Sequence, residues 1–214
     1  MSKYLGKLRL RVSCAVIIGG LVLSVGIASA EEQPSTDQIV KSLTPTPLTR
    51  SLSISQPEAA KITEERRFLN GLLNRTTRSL STGEREQIAT IADDKPKIDL
   101  EINFGFNTDR IAHSALPTVK ALAKALADPA IRGSTFLVAG HTDGKGSLEY
   151  NQILSERRAD AVKRILINKY GIAADSLVTV GYGKTHLKNS SNPLAAENRR
   201  VAIVNMVDGK AAGN

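Results

Sequence analysis

Hydrophobic and polar positions fall into three regimes along the 214-residue chain. Val12 through Ala28 is one apolar run. Residues 31 to about 56 are polar, without a sustained period, and interrupted by Pro34, Pro45 and Pro47; this stretch reads as a flexible or extended linker. Periodicity then returns. Ile62, Phe68, Leu69, Leu72 and Leu73 make a partial apolar stripe that predicts a helix within 58–76, and Ser81-x-x-Glu84 is a capping box opening a short helix to about Ile91. From Ile98 to Phe104 apolar and polar residues alternate with period two, the signature of a strand. A helix over 116–126, a strand over 135–140, a longer helix from about Ser147 to Tyr170, and strands over 177–180 and 200–207 follow. Strands interleaved with two helices predict an α/β or α+β domain of about 110 residues. No train of alternating ten-residue strands precedes residue 95, so nothing there predicts a membrane barrel.

The apolar run has the form of an export signal. Lys3, Lys7, Arg9 and Arg11 precede it, and Ala28-Ser29-Ala30 closes it as a small-x-small cleavage site. The expectation is a signal peptide, residues 1–30, removed after Ala30. An uncleaved anchor is the alternative, and a run of about 17 residues sits at the lower limit for a bilayer span. Cys14, the single cysteine, lies inside the run, where a lipoprotein cysteine does not stand; cleavage leaves a chain without disulfides or thiolate metal ligands. Cleavage also changes the charge. The net +8 loses four basic and no acidic residues, leaving 25 basic against 21 acidic, or +4. A nucleic-acid partner is not expected of such an exported, mildly basic protein.

The longer helix carries the first chemical hint. At roughly 100° per residue, Leu154, Ala161, Val162, Ile165 and Leu166 form one stripe, and Arg158 falls at about 40°, within it. Asn151 falls near 60° on the same scale. A guanidinium on an apolar face needs an anionic or acceptor partner. Asp143, in Gly140-His141-Thr142-Asp143-Gly144 at the end of a strand and the start of that helix, is the candidate. Two readings stay open. The pair closes the helix onto the sheet, or it grips a zwitterion, with the carboxylate on Arg158 and the ammonium on Asp143.

Other chemistries find less support. His141 and Asp143 share a face at i, i+2, but only His113 and His186 remain as histidine ligands and neither has a ligand-like spacing. No Gly-x-Ser-x-Gly elbow is present. No metal, cofactor or enzymatic activity is expected. Arg199 and Arg200, ahead of an alternating strand, read as structural.

Gly140-His141-Thr142-Asp143, Gly146, Tyr150-Asn151, Leu154-Ser155-x-Arg157-Arg158-Ala159, Gly171-Ile172, Gly181-Tyr182-Gly183 and Asn198-Arg199-Arg200-Val201 together resemble the OmpA-like domain, with order and spacing kept over about 98–207. That domain is shared by outer-membrane protein A, the peptidoglycan-associated lipoprotein and MotB. The resemblance implies an α+β fold of order βαβαββ, with two helices on a mixed four-stranded sheet. It also implies non-covalent binding to the diaminopimelate of peptidoglycan stems. The family's ligand-holding Asp and Arg fall on Asp143 and Arg158, the Asn of its Tyr-Asn pair on Asn151, and its FxF(D/N) segment on Phe104-Gly105-Phe106-Asn107. Asn107 stands where many relatives have Asp, and Leu154 is expected to form an apolar pocket wall. The expected organisation is a signal peptide (1–30), a partly helical linker region (31–95), the domain (96–208) and a flexible tail (209–214). The expected protein is periplasmic and tethers an envelope component to the wall, with 31–95 available to an envelope protein partner. A MotB-like protein anchored by an uncleaved N-terminal helix is the alternative.

Overall fold

A computed structural model describes residues 33–45, 56–73, 75–105 and 107–207. The expected signal segment, the tail and Phe106 lie outside these residues.

Nine elements follow one another: α1 (Thr36–Leu43), α2 (Gln56–Leu72), α3 (Thr82–Asp93), β1 (Lys97–Leu100), α4 (Leu116–Leu126), β2 (Thr135–His141), α5 (Leu148–Tyr170), β3 (Leu177–Gly183) and β4 (Val201–Val207). From β1 onward the order is the expected βαβαββ. The sheet runs β1-β4-β2-β3. β2 and β3 are parallel, and β4 lies antiparallel between β1 and β2. The ends of β1, β2 and β3 therefore share one edge of the sheet, where α4 and α5 begin.

The sheet is buried on both faces. Val138, Val201 and Ile203 pack with α1, α4 and α5 through Ile39, Leu43, Val119, Leu122, Val162 and Leu166. The alternate residues Leu137, Ala139, Val180, Ala202 and Val204 pack with α2 and α3 through Leu69, Leu72, Ile88 and Ile91. Two-sided burial explains why these strands read as near-continuous apolar runs. The second helical layer adds to the two helices expected on the sheet.

α1 corrects the linker reading of residues 31–56. Ser35 accepts from the Gln38 backbone N–H while the Gln38 side chain reaches back to the Ser35 N–H, a complete capping box. Ile39 and Leu43, four apart, then bury one face of a helix of only eight residues against α4 and β1. The Ser81–Glu84 box forms as expected at the start of α3, where Arg75 donates to Glu84 at 2.6 Å and helps hold its carboxyl low, at about 2.

α5 has clear ends. The Ser147 hydroxyl accepts from the Tyr150 N–H, and Gly171 closes the helix in the left-handed region at φ 71°. Its buried face keeps part of the stripe expected from hydropathy, with Ala161, Val162 and Leu166 buried and Leu154 and Ile165 half-buried, but is turned from it. It centres on Ser155, Ala159 and Val162, with Glu156 also buried, so Arg158 lies on the shoulder rather than in the middle. The cause is close approach: a Cβ on Gly140 would stand 2.3 Å from the Ser155 carbonyl oxygen, and one on Gly181 would stand 2.5 Å from the Glu156 nitrogen. Backbone against backbone leaves no room for large side chains. Among the described residues, no helix is long and apolar enough to cross a membrane.

Candidate functional site

The end of β2, the turn 142–147 and the first turns of α5 meet two loops. One, residues 101–112, is pinched by a Phe104–Ile111 bridge and by Gly105 N–H donating to the Arg110 carbonyl at 2.9 Å. Asn107 at its tip adopts φ 55°, a left-handed conformation that Asn tolerates better than most residues. Its side-chain oxygen accepts from the Tyr150 hydroxyl of α5. The other loop, between β3 and β4, is built on buried Asn198, whose amide donates to the carbonyls of Asn189, Asn192 and Pro193. This seats the Pro193 carbonyl to accept from Gly144 N–H at 2.8 Å.

Arg158 and Asp143 both face this region but do not pair with each other. Asp143 pairs with Arg199 at 3.0 Å, and its other oxygen accepts from the Lys145 backbone N–H. Arg158 forms no ion pair with a described carboxylate. Its guanidinium lies 4.8 Å above the Phe104 ring, and its Nε points at the Thr108 carbonyl at 3.4 Å. Burial draws its pKa below the ordinary guanidinium value; Tyr150 and Asp143 act upward against this, and Arg199 acts downward. Those opposing effects, with a smaller upward one from Asp109, mark a shared electrostatic field of two guanidinium groups and two carboxylates. The direct structural ion pair between Asp143 and Arg158, one of the two readings of the sequence, is absent.

Asn151 is almost fully buried, and its amide donates to the carbonyls of Lys145 and Ser147 at 2.8 and 3.0 Å. It shapes the turn that presents Asp143. Lys184 does the same from the other side, donating to the Gly146 carbonyl at 2.6 Å. Leu154 is half-buried on α5. Of the two arginines read from sequence as structural, one inside and one meeting solvent, Arg199 is the exposed one and pairs with Asp143. Arg200 does go inward, pairing with Asp99 at 3.1 Å. Only the topology could have shown this difference: β4 pairs Val201 with Gly140, so the residues just before it return beside the turn after β2.

His141 is buried beside Tyr182, with ring centroids 5.3 Å apart. Burial, then the nearby Arg200 charge, push its pKa down to about 3, so the ring is neutral at neutral pH. Its Nδ1 lies 3.1 Å from the His186 carbonyl, which fixes the proton on that nitrogen. Among the described residues no group of three or more His, Cys, Asp or Glu side chains could hold a metal.

Comparison with known proteins matches residues 103–200 to the OmpA family. Outer membrane porin F of Pseudomonas aeruginosa is 36% identical over 107 residues, covering 49% of this chain and 30% of that protein. The peptidoglycan-associated lipoprotein of Legionella pneumophila is 39% identical over 103 residues, covering 47% of this chain and 57% of that one. The crystal structure of the peptidoglycan-associated lipoprotein from Burkholderia pseudomallei superimposes with a TM-score of 0.41 at 26% identity, over 48% of this chain and 86% of that one. The chain thus spans under a third of the porin and little more than half of the Legionella lipoprotein. α1, α2 and α3 all precede the matched residues. On these matches, residues 103–200 are a domain of the OmpA family.

Proposed function

We propose that this is a non-catalytic cell-envelope protein, exported by a cleaved signal peptide, whose OmpA-like domain binds the peptide stem of peptidoglycan and tethers an envelope component to the wall. The observation that carries this reading is the state of Arg158: a half-buried guanidinium stacked on Phe104, without a described carboxylate partner, at the edge of the sheet where α5 begins. A charge so placed is stabilised by an incoming carboxylate. Asp143 stands in the same field, already holding one cation, the Arg199 guanidinium. A diaminopimelate side chain ends in one carboxylate and one ammonium, so Arg158 takes the first and Asp143 the second. Asn107 and Leu154 border the ligand, and Asn151 fixes the turn. Family membership and the relatives named for their association with peptidoglycan support the same ligand.

The test is co-sedimentation of the protein with purified diaminopimelate-type sacculi, beside Asp143→Ala and Arg158→Ala variants checked for folding by circular dichroism. Wild type should pellet, and each folded variant should lose about 2–5 kcal/mol of binding, the usual cost of removing one member of a buried charged contact. Wild-type affinity in both variants would reject the site; wild type left in the supernatant would reject the function.

A further inference from the structure

α3 does more than close the second face of the sheet. Together with the start of α5 it encloses a groove of about 250 Å³. At about 30 Å³ per water this is room for roughly eight waters, comparable to one substituted sugar ring. Arg85 and Glu86 of α3 form one wall, Leu148, Glu149 and Gln152 of α5 the other, and Lys184 closes it between them. Because α3 precedes the residues matched to the OmpA family, one wall of this groove is supplied by the chain's own extension.

The groove abuts the turn carrying Asp143. Lys184 donates to the Gly146 and Gly144 carbonyls of that turn, and Arg85 to the Leu80 carbonyl and the Thr82 hydroxyl, so both cations already hold acceptors of the protein while keeping their charge. What remains facing the groove is mostly acceptors. Glu149 is an exposed carboxylate, and Glu86 lies 3.4 Å from the His186 Nε2. Gln152 uses its amide N–H groups on Glu156 and the Gly181 carbonyl, so its oxygen faces no described donor. Beside them Leu148 is 63% exposed. The two carboxylates are balanced by Arg85 and Lys184, so neither an anionic nor a cationic guest is favoured. Several acceptors around one bare aliphatic side chain complement a neutral unit rich in O–H and amide N–H donors that also carries a methyl group.

We propose that this groove is a saccharide subsite, seating an N-acetylated sugar of the glycan strand while the stem attached to that strand occupies the Asp143–Arg158 region. The proposal rests on the peptidoglycan reading above and adds the sugar to it.

Two ligands separate the two ideas: a diaminopimelate stem peptide, and the same peptide carrying its N-acetylglucosamine–N-acetylmuramic acid disaccharide. Titration calorimetry on the full chain should show the disaccharide form binding about ten-fold more tightly, or about 1.4 kcal/mol. In a Leu148→Ser/Glu149→Gln variant that advantage should vanish while affinity for the bare peptide stays within about two-fold. Equal affinity of wild type for both ligands, or an advantage that survives in the variant, overturns the saccharide subsite and leaves the stem site standing. Binding of neither ligand by wild type overturns the peptidoglycan reading itself.

Discussion

On one face of the sheet α5 rests its backbone directly on glycines; on the other, α2 and α3 rest on side chains. The first contact is short and almost wholly steric, with Ser155 and Glu156 of the helix against Gly140 and Gly181 of the strands. The second has an apolar centre at Leu69, Leu72 and Ile88, held at its margin by polar links. Asp160 of α5 accepts from Thr77, in the α2–α3 connection, and from Thr179 of β3. Arg85 of α3 stands 3.6 Å from buried Glu156. The contrast teaches that side chains of α3 laid on a sheet face leave a groove at its margin, whereas helix backbone on glycine is held at contact distance. The steric face positions Asp143 and Arg158. The bolted face supplies new surface.

The contrast should break most sharply at Gly140. A Gly140→Ala methyl group meets the Ser155 carbonyl, which is backbone and cannot swing away, so the loss should reach about 3 kcal/mol or more, the upper range for overpacking. Urea unfolding measures it, and a loss below about 1 kcal/mol would mean α5 can lift freely. Asp160→Ala should cost less, about 1–3 kcal/mol, since it strips the acceptor from two buried hydroxyls. Its mark is regional: amide exchange should quicken in α3 and around Thr77 while β2 stays protected. Uniform quickening would show that the two faces unfold as one unit.

A smaller effect, on pH, sharpens the same comparison from inside the sheet. His141 titrates near 3 when folded and near 6.5 when unfolded, so the unfolded chain takes up the proton first as the pH falls. Stability from the neutral ring is complete above about pH 6.5 and drains as the pH drops toward 3. Between pH 7 and 5.5 wild type should lose about 1 kcal/mol by urea unfolding, and His141→Gln should show a flatter profile. An equal slope in both proteins would assign the loss to other groups.

Much of the fold was legible because its punctuation is local. Ser147 and Gly171 bracket α5, Ser81 and Glu84 open α3, and β2, β3 and β4 announce themselves as apolar runs. α1 was missed although Ser35 and Gln38 spell the same box, because its stability comes from Ile39 and Leu43 reaching α4 and β1, elements far along the chain. Hydropathy finds Ala161, Val162 and Leu166 on the buried face of α5 but turns that face too far toward Leu154. It counts Ser155 as outward, while Gly140 and Gly181 bring it fully inside and leave Leu154 half-buried. At the candidate site, the common location of Asp143 and Arg158 could be read from helical geometry. The partnership of Asp143 with Arg199 could not, since it depends on a strand arriving from 56 residues away.

That strand has a consequence in time. Among the described residues β4 is the last strand yet sits in the middle of the sheet, bridging β1 and the β2–β3 pair. Until residues 201–207 are available, β1 has no neighbour to bond with, and a nascent chain halted before them holds two fragments with open edges. Completion is therefore abrupt: closure of these distant pairings must await synthesis of residues 201–207, a slow step of the kind that long-range strand pairing imposes. A chain shortened by one strand would not be a smaller version of this protein but an aggregation hazard.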